Sequence, residues 1–169
     1  MNNQIKIVKS FMDPEDATLI TEYAKSEDAS FTEFGNGKKE FTFHAMIKNP
    51  NVESLLNFYG ELTLKFVRNN YPGPFQDYDN SKTHIARFDK GFGMHEHFDS
   101  TKPNNIATLI YLNNDYSGGE IYFPDYDISL KPDAGDLVCF PETQDFIHGV
   151  KPITEGIRYT APRWFIRIV

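Results

Sequence analysis

A chain of 169 residues is long enough for one domain with a real core, and its 24 acidic against 17 basic residues, a net charge of −7, argue against a general nucleic-acid surface. A single cysteine, Cys139, excludes a disulfide framework within the chain and suits a reducing compartment. The start, Met1-Asn-Asn-Gln-Ile-Lys6, carries no apolar leader, and no apolar run approaches transmembrane length, so the expected location is the cytoplasm, with no membrane partner.

Residues 4–11 alternate roughly and predict a first strand. Asp13-Pro14 predicts a helix start, with Asp as N-cap, Pro in the first turn, and Glu15 and Asp16 after it. Leu19, Ile20 and Tyr23 form its expected buried stripe. Between residues 30 and 47, two aromatic arms flank Gly35-Asn36-Gly37, a hairpin signal. The segment from Phe31 to Phe43 reads equally as an edge hairpin or as a flap over a site, with Phe31, Phe34 or Phe41 against a substrate. Asn49-Pro50 opens a second helix. Its apolar stripe runs through Val52, Leu55, Leu56, Tyr59, Leu62, Leu64 and Phe66, and it ends at Asn69-Asn70-Tyr71-Pro72-Gly73. Residues 71–80 read as a loop.

From residue 82 the pattern turns to strands: 83–88, 105–112, 118–124, 128–131, 136–140, 146–150 and 157–168. Residues 105–112 are apolar on both faces, which fits a central strand. Cys139 lies in the apolar run Leu137-Val138-Cys139-Phe140 and reads as a buried, inert thiol. The expected class is α+β: helices followed by a β-sandwich or barrel. The expected organisation is one domain over residues 1–169. Residues 1–80 supply strand, helices and possible flap, and 81–169 a metal-binding β core.

The stretch with the most chemistry is Gly91-Phe-Gly-Met-His95-Glu96-His97-Phe98-Asp99. In an extended chain His97 and Asp99 share a face, with Phe98 on the other, turned into packing. One imidazole and one carboxylate make the front half of a 2-His-1-carboxylate set, which suits non-haem Fe(II). His148 is the candidate for the second imidazole. His-x-Asp pairs are common on surfaces, and His95-x-His97 with Glu96 could equally hold zinc. Arg158 follows His148 by ten residues, with Pro152 and Gly156 between them. An antiparallel pair joined by that turn would return Arg158 to His148, one layer deeper. A buried Arg needs an anionic partner, either an internal carboxylate or a ligand.

The order of short motifs adds a resemblance. Phe88 and Gly91 precede His97-x-Asp99, and Tyr111-Leu112-Asn113 ends a strand. Gly118-Gly119-Glu120-x-x-Phe123-Pro124 follows, then Pro132-x-x-Gly135-x-Leu137-x-x-Phe140, His148, Arg158 and, six residues on, Trp164. From about Thr83 to Trp164 the chain resembles the 2-oxoglutarate/Fe(II)-dependent oxygenases, most closely the prolyl 4-hydroxylase branch. The resemblance implies a double-stranded β-helix (a jelly-roll, cupin-like barrel), with His97, Asp99 and His148 as Fe(II) ligands. It implies that Arg158, helped by Tyr111, grips the far carboxylate of 2-oxoglutarate, with Phe88 and Trp164 lining the same pocket. It further implies O2 as oxidant, ascorbate as an accessory reductant, and hydroxylation of a C–H bond, above all in a proline-containing peptide. There are departures. Phe88 stands where these enzymes usually have Tyr, Met94 where they often have Tyr, Ile121 where Thr is frequent, and Arg158 where many collagen-type enzymes have Lys. Three other readings stay open: the same chemistry on a free amino acid, another side chain or a nucleobase; a catalytically silent binding domain; and a cupin-like zinc or iron protein that uses His95.

Overall fold

The computed structural model describes residues 4–34, 42–77, 84–100 and 105–168. The first half runs β1 (Lys6–Val8), α1 (Pro14–Lys25), β2 (Phe31–Phe34), β3 (Thr42–Met46), α2 (Pro50–Asn70), β4 (Phe75–Asp77) and β5 (His84–Phe88). The second half is strands: β6 (Met94–His97), β7 (Ile106–Tyr111), β8 (Ser117–Gly118), β9 (Ile121–Phe123) and β10 (Ile128–Leu130). It closes with β11 (Leu137–Pro141), β12 (His148–Val150), β13 (Ile153–Glu155) and β14 (Arg158–Arg167).

Both helices start where local chemistry dictates. The Asp13 carboxylate accepts from the Glu15 N–H at 2.8 Å, and the Asn49 side chain accepts from the N–H groups of Asn51 and Val52. Tyr59 on α2 ties the two together: its hydroxyl donates to Asp16 at 2.6 Å and accepts from the Asp13 N–H at 3.0 Å. On α1 the buried face is Ala17, Ile20, Thr21, Tyr23 and Ala24. Leu19, expected in that stripe, is 46% exposed, because it lies one residue round the helix from Ile20 and faces away from the sheet.

The strands form a major and a minor sheet that face each other without closing into a barrel. Among the described residues the major sheet has eight strands, ordered β1-β11-β7-β14-β5-β3-β2, with β4 added along β14. The minor sheet is β10-β9-β12-β6, and β13 pairs with β8 separately. Strand periodicity assigns each face of the major sheet. Ile106, Ile110, Leu137, Cys139, Tyr159, Ala161 and Phe165 point to the helices. Ala107, Tyr111, Val138 and Phe140 point to the minor sheet. Cys139 is fully buried, and burial pushes its thiol well up, so it is inert, as its apolar run suggests.

Two expectations change here. His148 and Arg158 do not sit on a paired hairpin: β12 belongs to the minor sheet and β14 to the major one, with β13 between them in sequence. Arg158 therefore approaches His148 across the sandwich. The arms of the Phe31–Phe43 segment are the antiparallel pair β2–β3, joined to the major sheet through β5. Phe31 packs on Tyr159 and lies under the Arg87 guanidinium, on the helical side rather than towards a substrate. The Gly35-Asn36-Gly37 turn and Phe41 lie outside the described residues.

The two neighbouring α1 residues make a direct test. Ile20→Ala should cost about 2–5 kcal/mol in denaturant unfolding. Leu19→Glu should change stability by less than about 0.5 kcal/mol. A large loss at Leu19 would contradict the exposed face.

Candidate metal centre

The centre is built on the β6–β12 pair. His148 sits directly opposite His97, with ring centroids 4.4 Å apart. The ladder carries a bulge: the step from Met94 to His97 faces the shorter step from Val150 to His148. The extra residue lets Met94 and His97 both face the interior, although they are three apart. His95 and Glu96 are left on the exposed side. This is why His95, the alternative ligand, is not part of the cluster.

Each histidine is held by the carbonyl two residues before it. His97 Nδ1 is 2.7 Å from the His95 carbonyl oxygen, and His148 Nδ1 is 3.0 Å from that of Phe146. A carbonyl can only accept, so each Nδ1 carries a proton, which leaves Nε2 as the nitrogen that can ligate once it is free of one. The rings of Phe140 and Phe123 wedge His148, with centroids 4.5 and 5.7 Å away. Asp99 lies just beyond the end of β6, and its Oδ1 is 3.3 Å from His97 Nε2 and 3.9 Å from His148 Nε2. Its Oδ2 accepts from the Trp164 indole N–H at 3.2 Å. The two carboxylate oxygens are thus divided between the cluster and the indole.

One ligand atom from each of His97, Asp99 and His148 lies within 4.8 Å of the others. Burial alone would push the Asp99 carboxyl up. The His97 hydrogen bond, the charges of His148 and His97, and the Trp164 bond outweigh it and hold the group below its ordinary range. Burial lowers His148, opposed by Asp99. His97 is raised, because its bonds to Asp99 and the His95 carbonyl outweigh its burial. Two neutral imidazoles and one carboxylate, on one side of a cleft, are the donor set that suits Fe(II) with positions left open.

The cleft between the sheets is a cavity of about 200 Å³, lined by the three candidate ligands, Arg158, Trp164 and apolar side chains that include Phe88, Met94, Leu109, Ile121 and Val150. Arg158 is 1% exposed. Its Nη2 donates to the Tyr111 hydroxyl at 3.0 Å, and its guanidinium lies 4.9 Å from the ring centroids of both Phe88 and Tyr111. Its Nε and Nη1 have no hydrogen-bond partner among the described residues. A buried cation with two unused donors, aimed into a cleft beside a 2-His-1-carboxylate cluster, fits an acidic co-substrate such as 2-oxoglutarate.

Residues 83–166 match the family described as the 2OG-Fe(II) oxygenase superfamily. The chain belongs to this superfamily. It is 32% identical over 103 residues to a PKHD-type hydroxylase of Cupriavidus metallidurans, a match covering 59% of this chain and 44% of that protein. The chain therefore spans less than half the length of that relative. Among solved structures, the prolyl hydroxylase of Trichoplax adhaerens in complex with a hypoxia inducible factor peptide fragment superposes with a TM-score of 0.76. It has 17% identity, over 98% of this chain and 84% of that one. A Pseudomonas putida prolyl-4-hydroxylase gives 0.73, with 17% identity, over 99% and 95%. At such identity these two show a shared fold, the double-stranded β-helix oxygenase fold.

The cleft is lined by His97, Asp99, His148, Arg158, Phe88 and Trp164, and Tyr111 joins them through its bond to Arg158. Trp164 does more than line the pocket: it holds the second oxygen of Asp99, with its ring stacked on His84 at 5.7 Å. Phe98, expected to turn into packing, is 40% exposed, because the chain leaves β6 after His97. Glu142 was not foreseen. It is buried at the end of β11, its Oε2 accepts from the Asn105 amide at 3.3 Å, and its Oε1 has no partner among the described residues. Its backbone carbonyl accepts from the Ser100 N–H, and its N–H donates to Asn105. Only a flanking Pro marks it in the sequence, and nothing local announces a buried acid.

Three outcomes follow from this geometry. Trp164→Phe keeps the ring but loses the bond to Asp99, so Fe(II) affinity in anaerobic calorimetry should fall about 10–100-fold. His95→Ala should leave it unchanged. Burial, reinforced by the Asp99 charge and opposed by the Asn105 bond, pushes the Glu142 carboxyl from its ordinary 4.5 up to about 7. Ionising it is harder in the folded protein than in the unfolded chain. The resulting penalty is absent below about pH 4.5, grows through the interval and is complete above about pH 7. Metal-free Glu142→Gln should therefore be more stable than wild type at pH 8, by on the order of 1–3 kcal/mol, with the gap closing at pH 4.

Proposed function

We propose that this protein is a 2-oxoglutarate- and Fe(II)-dependent hydroxylase that acts on a prolyl residue of a peptide, in the manner of the prolyl 4-hydroxylases. The observation that carries this reading is Arg158, a buried guanidinium with Nε and Nη1 unused among the described residues, facing the same cavity as the His97-Asp99-His148 cluster.

Fe(II), when bound, supplies the coupling of O2 reduction and 2-oxoglutarate decarboxylation to C–H hydroxylation. The chain supplies position and surroundings. His97 and His148 would hold the metal through Nε2, and Asp99 through Oδ1. Arg158 and Tyr111 would anchor the far carboxylate, and the guanidinium between Phe88 and Tyr111 is already oriented for it. Met94, Ile121 and Val150 give an apolar wall that keeps water from the reacting centre.

The prolyl substrate is supported by the names of the similar proteins, a PKHD-type hydroxylase and a prolyl hydroxylase crystallised with a peptide. Ascorbate as accessory reductant rests on the same likeness. A cytoplasmic site of action is supported by the lone, inert Cys139.

The test is succinate release across proline-containing peptides, free amino acids and nucleosides, with mass spectrometry of the product. Oxygen gained on a peptidyl proline is the expected result, and no coupled succinate with any member would overturn the reading. Arg158→Ala should weaken 2-oxoglutarate binding by about 2–5 kcal/mol, a rise of roughly 30-fold or more in its apparent constant. An unchanged constant would place the anchor elsewhere.

A further inference from the structure

Tyr116 lies between β7 and β8 and is 4% exposed. Its hydroxyl is buried and has no hydrogen-bond partner among the described residues. An unmet buried hydroxyl destabilises a fold, so this one calls for an acceptor that a ligand can bring. Its surroundings say which ligand. Its ring packs in one cluster with Ala86, Phe88 and Val150, three residues of the cavity wall. Arg158 acts on its hydroxyl by charge and by a contact within hydrogen-bonding range, which leaves the hydroxyl proton without an acceptor, and Tyr111 and Glu120 act on it by charge.

The approach of Tyr116 to Arg158 depends on a bare backbone. Gly119, the second glycine of Gly118-Gly119-Glu120, has φ +70°. A Cβ there would lie 3.1 Å from Tyr116 Cε2, 3.4 Å from Arg158 Cδ and 2.4 Å from Ile153 Cδ1. Without it, the phenol ring and the arginine stem converge on one spot. From the other side Lys131 fixes Tyr116: its Nζ donates to the Tyr116 carbonyl at 2.6 Å and sits 5.0 Å from the ring centroid. Burial also pushes the phenol up to about 12, so it remains a neutral donor at physiological pH.

We propose that Tyr116 binds the far carboxylate of the dicarboxylate co-substrate, donating its O–H beside Nε and Nη1 of Arg158. The inference rests on the 2-oxoglutarate reading above and deepens it. Tyr111 accepts from Arg158 Nη2, so its own proton is free to donate as well. The surroundings of the guanidinium then hold four donors at the arginine end of the cavity: Nε and Nη1 of Arg158 and the two tyrosine hydroxyls. A carboxylate has about four lone-pair sites, so the donor set matches this acceptor group. Phe88, on the wall of the same chamber, supplies a cation–π face and no hydroxyl. The Tyr116 hydroxyl is therefore a second phenolic donor at the anchor.

The experiment titrates the Fe(II)-loaded protein anaerobically with 2-oxoglutarate and, separately, with succinate, comparing wild type, Tyr116→Phe and Arg158→Ala. Tyr116→Phe should weaken both ligands about 10-fold. In turnover it should raise the KM for 2-oxoglutarate by a similar factor while kcat at saturation stays near wild type. The ligand-free variant should melt at or above the wild-type temperature, because an unmet hydroxyl has been removed, yet gain less on adding 2-oxoglutarate. A Tyr116→Phe affinity within twofold of wild type, with Arg158→Ala clearly impaired, overturns the Tyr116 assignment alone. Wild type that binds neither dicarboxylate overturns the 2-oxoglutarate reading and the assignment with it.

Discussion

The Arg158 guanidinium is 1% exposed, and a neutral hydroxyl and two aromatic rings leave its charge only partly compensated. Cation–π contacts offset about 2 kcal/mol or somewhat more when desolvated, and the effective penalty for burying a charge is several. The protein tolerates Arg158 because the rest of the sandwich over-determines its position. β14 lies between β7 and β5, and its side chains divide by period two. Tyr159, Ala161 and Phe165 enter the helical core, whereas Arg158, Thr160, Pro162 and Trp164 line the cavity. One strand therefore reaches from the anion anchor to the indole that holds Asp99. An anionic ligand that completes Arg158 also relieves the fold, so ligand binding and stability are linked.

At the metal end the same economy of parts appears in the backbone. Carbonyls two residues upstream fix both imidazole tautomers, and the bulge on β6 separates the inward His97 from the outward His95. The geometry is set before any ion binds. Binding then needs little reorganisation of the two imidazoles, which aids affinity and keeps the donor set to two nitrogens and one oxygen.

Among the described residues no helix residue lines the cleft, yet the helical layer shapes it. Capped by Asp13 and Asn49 and joined through Tyr59, α1 and α2 cover the far face of the major sheet. With that cover β7 and β11 bury apolar side chains on both faces, which stiffens the sheet from which Arg158 and Trp164 of β14 project. The β2–β3 pair extends this wall at its edge, anchored by Phe31 on Tyr159.

Local chemistry in the sequence sufficed for both helix starts, a central strand within residues 105–112 and the buried Cys139, and it left His97, Asp99, His148 and Arg158 as candidates that the structure places around one cleft. Caps act within three residues and strand periodicity within six, so such features are written where they operate. The candidate ligands stood out because their order along the chain resembles a family pattern. What only the tertiary structure decided is which faces meet. It exposed Leu19 and Phe98, and it set His148 and Arg158 on opposed sheets. It gave Trp164 a bond to Asp99, and it buried Glu142 and the hydroxyl of Tyr116 beside the cleft. Each of these depends on pairing between segments far apart in the chain, where register and bulges set direction. The identity of a residue records its chemistry, but its partner is chosen by the packing of elements it never neighbours in sequence.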